Sequence, residues 1–303
     1  MALQEESGVL IINKHAGVTS HDIVNKIRRL YHTKRVGHTG TLDPMATGVL
    51  VVLVGRAAKA SEYLVTDSKK YCARLRLGIT TDTEDTTGTV LSSSETIPDS
   101  EQVQAALPHF QGKIMQVPPM YSALKVGGKK LVDLAREGQT VERVPREIEI
   151  ISLTAQATDI PTEYILDVHC SKGTYIRTLC SDIGAFLGCG GVMAALERTE
   201  TGGFDLSRSH TVEELEEMTE EELSHLLIQT EQLFASLPKV ILSPFFEKLC
   251  RGGCEIYEKK LGVSFKVGAQ VRLCDQSGTF FALGEVKGYS DGAAIKAIKT
   301  FSL

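Results

Sequence analysis

Gly37-His38-Thr39-Gly40-Thr41-Leu42-Asp43-Pro44-Met45-Ala46-Thr47-Gly48 is the stretch from which the rest of the chain is best read. Three glycines, a proline and several hydroxyls in twelve residues do not sustain a helix or a strand, so the segment reads as an irregular loop. It ends at the apolar run Val-Leu-Val-Val-Leu-Val, residues 49–54, which reads as a buried strand. Loops fixed on such scaffolds often carry function, and His38 and Asp43 are the candidates here. Two other readings stay open. Asp43-Pro44 could simply turn the chain, the aspartate bonding nearby amides. A phosphate-cradling loop would need a Gly-Lys-Ser/Thr ending, which is absent.

Working outward, residues 9–14 (Val-Leu-Ile-Ile-Asn-Lys) predict a second buried strand. Thr19-Ser20 then caps a helix in which Ile23, Val24, Ile27, Leu30 and Tyr31 recur at helical spacing. Lys26, Arg28, Arg29, Lys34 and Arg35 lie on or just beyond it. Residues 71–79 alternate as a strand with Arg74 and Arg76 on one face, and 80–88 form a polar, acidic loop. Asp99 and Gln102 make a capping pair for a helix that Pro108 ends or kinks. Residues 112–147 look loop-rich. Residues 147–157 and 163–170 predict a hairpin, and 175–187 a helix stopped by Gly188. Thr211 and Glu214 cap one acidic helix whose Leu215, Met218, Leu223 and Leu226 form a packing face. From about residue 238, glycines punctuate short apolar stretches, the pattern of a small all-β unit.

Charge is distributed unevenly. The formal net charge is −5, but residues 213–231 hold eight glutamates and no lysine or arginine, and setting these aside leaves +3. Residues 1–60 carry eight basic against four acidic side chains, and 232–303 carry ten against six. Affinity for a polyanion depends on where basic groups cluster, so a phosphate-tracking face is compatible with an acidic total. No apolar run approaches the roughly 20 residues of a membrane span. The acidic start, residues 1–6, lacks the order of a signal peptide, so a cytoplasmic protein is expected. Seven cysteines show no framework or tetrahedral metal spacing and read as reduced thiols.

Two distant segments join the loop as candidates. Ser171-Lys172-Gly173-Thr174-Tyr175-Ile176-Arg177 marks a strand giving way to a helix. Arg177 is either a solvated surface arginine or points into a cleft, where it would favour the charged form of a nearby carboxylate. Lys69-Lys70-Tyr71 places an aromatic residue at the start of a strand; Tyr71 either packs in the core or offers a stacking platform for a nucleic-acid base.

Taken together and in order, these segments resemble the bacterial tRNA pseudouridine-55 synthases, the TruB family of B-type pseudouridine synthases. Gly37 to Gly48 is similar to that family's catalytic-aspartate motif. Lys69-Lys70-Tyr71, Thr81-Asp82-Thr83-Glu84-Asp85, Met120-Tyr121-Ser122-Ala123-Leu124-Lys125, Ser171 to Arg177, and Leu196-Glu197-Arg198-Thr199 follow in the family's sequence. The resemblance runs from about residue 8 to 204, fades through the acidic helix, and the tail resembles a small PUA-type RNA-binding barrel only loosely.

The resemblance implies an α+β pseudouridine-synthase fold: a mixed, largely antiparallel sheet flanked by helices in residues 1–236, and a PUA-like β-barrel in 237–303. It implies an isomerase that detaches uracil from ribose in the T-loop of tRNA, position 55, rotates it and reattaches it through C5. No cofactor and no metal is implied. Asp43 would start glycosidic cleavage, Arg177 would pair with it, and Tyr71 would stack on the flipped-out base. Tyr175 and Leu196 would line the base pocket, His38 would contact RNA beside the extruded nucleotide, and Lys14 would stand near the entrance. The expected partner is the tRNA T-arm, with no membrane and no obligate protein partner, and a monomer is expected. The competing reading is a non-catalytic tRNA-binding protein or folding chaperone on the same scaffold.

Overall fold

A computed structural model describes residues 7–63 and 68–302; the acidic start at residues 1–6 lies outside them. Strand β1 (Gly8–Lys14) leads into helix α1 (Ser20–Leu30), the short strand β2 (Val36–His38) and strand β3 (Thr47–Val54). Thr19 and Asp22 form the reciprocal capping box of α1, and Ile23, Val24 and Ile27 are its buried stripe. β1 and β3 pair antiparallel over their whole length, with Gly8 opposite Val54 and Lys14 opposite Gly48. Leu10, Ile12, Leu50 and Val52 face one apolar cluster, while Val9, Ile11, Val49, Val51 and Leu53 face another. Burial on both faces is why these strands read as unbroken apolar runs.

Strand β4 (Lys69–Leu77) precedes a small hairpin, β5 (Ile79–Thr81) and β6 (Val90–Ser93), which brackets the acidic loop. On β4, Tyr71, Ala73, Leu75 and Leu77 are buried while Arg74 and Arg76 face out, as the alternation predicts. Helix α2 (Ser100–Ala106) starts at the Asp99–Gln102 capping box. At Pro108 the α-helical pattern gives way to a 3-10 turn, Leu107–Phe110, because proline cannot supply the continuing N–H.

The stretch expected to be loop-rich is more structured than its composition suggested. It holds β7 (Gly112–Gln116), the tiny hairpin β8 (Lys125–Val126) and β9 (Lys129–Lys130), and helix α3 (Leu131–Arg136). β7 is ordered by pairing with a distant strand, which local sequence does not announce. That partner is β10 (Arg146–Ala157), followed by β11 (Glu163–Cys170), helix α4 (Ile176–Phe186), β12 (Gly191–Thr201) and β13 (Phe204–Asp205). The sheet order is β1-β3-β12-β4-β11-β10-β7, with β2 on β3 and β13 on β12. Pairing is antiparallel except between β3 and β12, where Arg198 lies opposite Gly48. The sheet is thus mixed and largely antiparallel, as expected.

The single acidic helix is instead two, α5 (Val212–Glu216) and α6 (Glu220–Leu226). Thr211–Glu214 caps the first and Thr219–Glu222 caps the second; the repeated Thr-x-x-Glu breaks the run because a capping threonine is not helical. Beyond it lie β14 (Lys239–Ile241), α7 (Pro244–Arg251), β15 (Ile256–Tyr257), α8 (Glu258–Leu261), β16 (Gln270–Cys274), β17 (Phe280–Tyr289) and β18 (Gly292–Thr300). The five strands form a curled half-barrel, order β14-β16-β17-β18-β15, so the tail contains two helices and is not all-β. Phe234, Phe280, Leu283 and Phe301 pack with the outer face of β1 and β3. Glu231 accepts from Arg272 at 3.0 Å and pairs with Lys239 at 3.5 Å across the same junction. Among the described residues no helix is long and apolar enough to cross a membrane.

Gly48 is the tightest point of this frame. Its φ is +97°, and a Cβ there would stand 2.3 Å from the Arg198 carbonyl oxygen. Gly48→Ala is expected to destabilise the protein by about 3 kcal/mol or more, through strain and clash together. Gly127→Ala, at φ +58° with nothing around it, should cost about 1 kcal/mol. Urea unfolding of both variants checks this; similar midpoints would contradict it.

Candidate active site

Asp43 sits in the loop between β2 and β3, and the loop is tied down from several sides. The Ser20 hydroxyl at the start of α1 accepts from Leu42 N–H at 2.9 Å and donates to the Leu42 carbonyl at 3.1 Å. Gly17 N–H donates to the Pro44 carbonyl at 2.8 Å, and Ala46 N–H to the Asp43 carbonyl at 3.0 Å. Leu42 and Ala46 are themselves buried. The Asp43 backbone is therefore fixed while its side chain stays about a third exposed, at 36%. A loop held in this way presents a carboxylate without reorganising.

Arg177 meets that carboxylate. It lies in the first turn of α4, whose N-cap, Tyr175, makes no side-chain cap of its own. Gln116, buried at the end of β7, clamps that helix start: its amide nitrogen donates to the Tyr175 carbonyl at 3.0 Å and its oxygen accepts from Tyr175 N–H at 2.9 Å. Arg177 Nε stands 2.9 Å from Asp43 Oδ2, and a terminal nitrogen donates to Oδ1 at 3.3 Å. Its remaining donors reach the carbonyls of Tyr121 at 2.8 Å and Thr83 at 3.2 Å. Asp85 lies 3.9 Å away, its Oδ1 accepting from Thr83 Oγ1 at 2.7 Å and Thr87 N–H at 2.9 Å. With 6% of its side chain exposed, Arg177 is a buried cation between two carboxylates.

Tyr71 lies on the buried face of β4, close enough to Asp43 to feel its charge. Burial pushes its phenol up, and hydrogen bonding and charge from Arg198 pull it back. Leu196 is buried two residues from Arg198 on β12, opposite Ala73. Tyr175 is half-buried near Asp43 and Arg177, its phenol also raised by burial. His38 ends β2; burial and then the Arg198 charge lower its imidazole below the usual range, and its Nδ1 is buried without a hydrogen-bond partner. The structure thus brings Asp43, Tyr71, Tyr175 and Arg177 into one neighbourhood, with Leu196 and His38 grouped around Arg198.

Lys14 is not at an entrance. It is completely buried beneath the loop, its ammonium donating to the carbonyls of Ala46 at 2.6 Å, His15 at 2.9 Å and Pro44 at 3.2 Å. Burial lowers it from 10.5 to about 8, against an opposing pull from the Asp43 charge. The reason is its register: as the last residue of β1, opposite Gly48, its side chain is directed under the turn that carries Asp43.

Three residues were not singled out from sequence. Arg198 is fully buried, donating to the carbonyls of Val49 at 2.8 Å and Gly40 at 3.0 Å. Asp85 and Gln116 are the others. Each lies inside or beside a quoted motif, but the contacts Gln116–Tyr175, Asp85–Arg177 and Arg198–Gly40 join distant parts of the chain, so only the fold reveals them.

Comparison with known proteins gives the family. Residues 28–176 match the family model described as TruB family pseudouridylate synthase, N-terminal domain. Residues 177–235 match that of the tRNA pseudouridylate synthase B C-terminal domain. A tRNA pseudouridine synthase B of Alkaliphilus oremlandii is 43% identical over 84% of this chain and 84% of its own. One of Clostridium kluyveri is 40% identical over 97% and 99%. Among solved structures, one described as a Cbf5-Nop10-Gar1 complex superposes with a TM-score of 0.74 at 24% identity, over 98% of this chain and 85% of that one, a likeness of fold. Matched by consecutive family models and by relatives along nearly its whole length, the chain belongs to the TruB family of pseudouridylate synthases.

Proposed function

We propose that this enzyme converts uridine to pseudouridine at position 55 in the T-loop of tRNA, with Asp43 as the group that opens the glycosidic bond. The observation that carries this reading is the two-point contact between buried Arg177 and the part-exposed Asp43 carboxylate. A carboxylate so compensated can remain charged in a site that excludes water, as a nucleophile must. Homologues named tRNA pseudouridine synthase B support the tRNA substrate and the isomerisation.

In this reading the target uridine leaves its stack at a cost of a few kcal/mol, and stacking on an aromatic side chain returns about 1–3 kcal/mol. Tyr71 is that aromatic, and Tyr175 and Leu196 close the pocket around the ring. His38, neutral and with an unsatisfied Nδ1, contacts RNA beside the extruded nucleotide. Lys14 acts from below, holding the loop carbonyls. Residues 1–236 carry the chemistry and 237–303 contribute RNA affinity. The enzyme works as a monomer in the cytoplasm without cofactor or metal, recognising the folded T-arm by shape and phosphate contacts.

Asp43→Asn should lower single-turnover pseudouridine formation in an unmodified T-arm RNA by about 10⁴-fold or more. Its tRNA affinity, measured by filter binding, should persist and fall with rising salt as the wild type's does. Full activity of the variant would remove Asp43 from the chemistry. Absence of product from the wild type on any tRNA would favour a binding protein instead.

Lys14 makes a separate prediction about stability. Its folded value of about 8 lies below its ordinary 10.5, so between those pH values the unfolded chain binds the extra proton. Stability contributed at this residue therefore rises as pH climbs from 8 to 10.5, by up to about 3 kcal/mol. Comparing denaturant unfolding of wild type and Lys14→Met at pH 7.5 and 10 isolates it. A wild type that weakens relative to the variant on going to pH 10 would contradict the assignment.

A further inference from the structure

Glu84 holds a backbone conformation that its own side chain disfavours. Its φ is +63°; the other non-glycine residue at positive φ among the described residues is His32, just past the end of α1. A left-handed residue closing a helix is common, but Glu84 lies inside the acidic loop, beside a buried cation. Glycine would hold the same turn without strain, so the glutamate is kept for what its side chain does. That side chain is anchored. Its Oε2 accepts from the Thr178 hydroxyl at 2.6 Å, and Thr178 is a buried residue of α4, next to Arg177 in the chain. The loop backbone is pinned separately to β12. Met193 N–H donates to the Glu84 carbonyl at 3.0 Å, and Thr86 N–H to the Met193 carbonyl at 3.1 Å. The residues flanking Glu84 both meet Arg177. The Thr83 carbonyl accepts from one of its terminal nitrogens at 3.2 Å, and the Asp85 carboxylate stands 3.9 Å from that same nitrogen.

We propose that Glu84 is a positioning residue for the isomerisation: by accepting from Thr178 it locks the acidic loop onto α4 and fixes the Arg177 guanidinium against Asp43. The left-handed turn brings Thr83 and Asp85, its two neighbours, to one guanidinium nitrogen. The anchor at Thr178 and the guanidinium at Arg177 leave α4 from consecutive residues, so loop and helix are held in one register where Arg177 projects. Arg177 in turn meets Asp43 at 2.9 and 3.3 Å. A shift of about 1 Å in such a contact costs roughly 100-fold in rate. This inference rests on the functional reading given above; Glu84 acts through Arg177 and is not itself a group of the reaction.

The test removes the side chain and keeps the turn. In Glu84→Gly the left-handed backbone is unstrained, so the loop stays while its anchor to Thr178 is lost. On saturating unmodified T-arm RNA, its single-turnover rate of pseudouridine formation should fall by roughly 10- to 100-fold, with Kd from filter binding within about twofold of the wild type's. Glu84→Gln, whose amide oxygen still accepts from Thr178, should come within about threefold of the wild-type rate. A role confined to stability would be independent of Arg177, and a double-mutant cycle separates the two. In an Arg177→Lys background, Glu84→Gly should cost less than about twofold more. The full loss persisting in that background would overturn the proposal. So would an undiminished rate in Glu84→Gly, or a Glu84→Gln variant as slow as Glu84→Gly. Should Glu84→Gly fail to fold, Glu84→Asn takes its place with the same expectations, since asparagine tolerates the left-handed backbone but is too short to reach Thr178. A wild type inert on the RNA would sink the functional reading, and this inference with it.

Discussion

Everything in the site converges on the guanidinium of Arg177. It takes one partner from the Asp43 loop, one from the acidic loop at Thr83, one from the segment at Tyr121, and stands near Asp85. Those three segments come from different parts of the chain and have no reason to meet otherwise. A planar group with five fixed donors can join them in one geometry, which a lysine could not. Burial makes the arrangement strict, because any donor left unmatched away from water carries a desolvation cost. Gln116 extends the same logic one step back, since it fixes the helix start from which Arg177 projects.

The Asp43 loop is supported from underneath by two further cations, Lys14 and Arg198, both directed at carbonyl oxygens. Oriented backbone carbonyls can hold such charges, but less completely than carboxylates do. A loop resting on cations keeps a positive field beneath the Asp43 carboxylate. The parallel pairing of β3 with β12 is what delivers Arg198 to this place, and Gly48 is the residue that lets the two backbones approach.

Charge is also sorted at the scale of the whole molecule. The acidic helices α5 and α6 lie beside the basic helix α1, with Lys26 3.4 Å from Glu216 and His32 3.3 Å from Glu220. Such exposed pairs contribute little stability. Their effect is on the field: they neutralise one flank of a basic helix and leave its other basic residues to act elsewhere. The tail meanwhile buries the outer face of β1 and β3, so the strands that carry the Asp43 loop are covered on both sides.

Much of this was legible in the sequence where the cause is local. Thr19 with Asp22, Asp99 with Gln102, and Thr211 with Glu214 announce helix starts because a cap and its partner lie three residues apart. The alternation of Tyr71, Ala73 and Leu75 shows a strand face for the same reason. Even the break between α5 and α6 was written in Thr219 and Glu222, although the longer acidic run concealed it. Asp43, Tyr71 and Arg177 could be chosen because each sits in a recognisable segment. The sequence by itself thus determined the elements whose cause is local, their caps and the candidate chemical groups. Only tertiary structure decided that Lys14 lies under the loop and not at its entrance, that Gln116 caps a helix 59 residues away, and that Arg198 reaches Val49 and Gly40. Those outcomes depend on strand register and on which side of a sheet a long side chain is buried. Such quantities are set by pairing between distant segments, and no local spacing carries them.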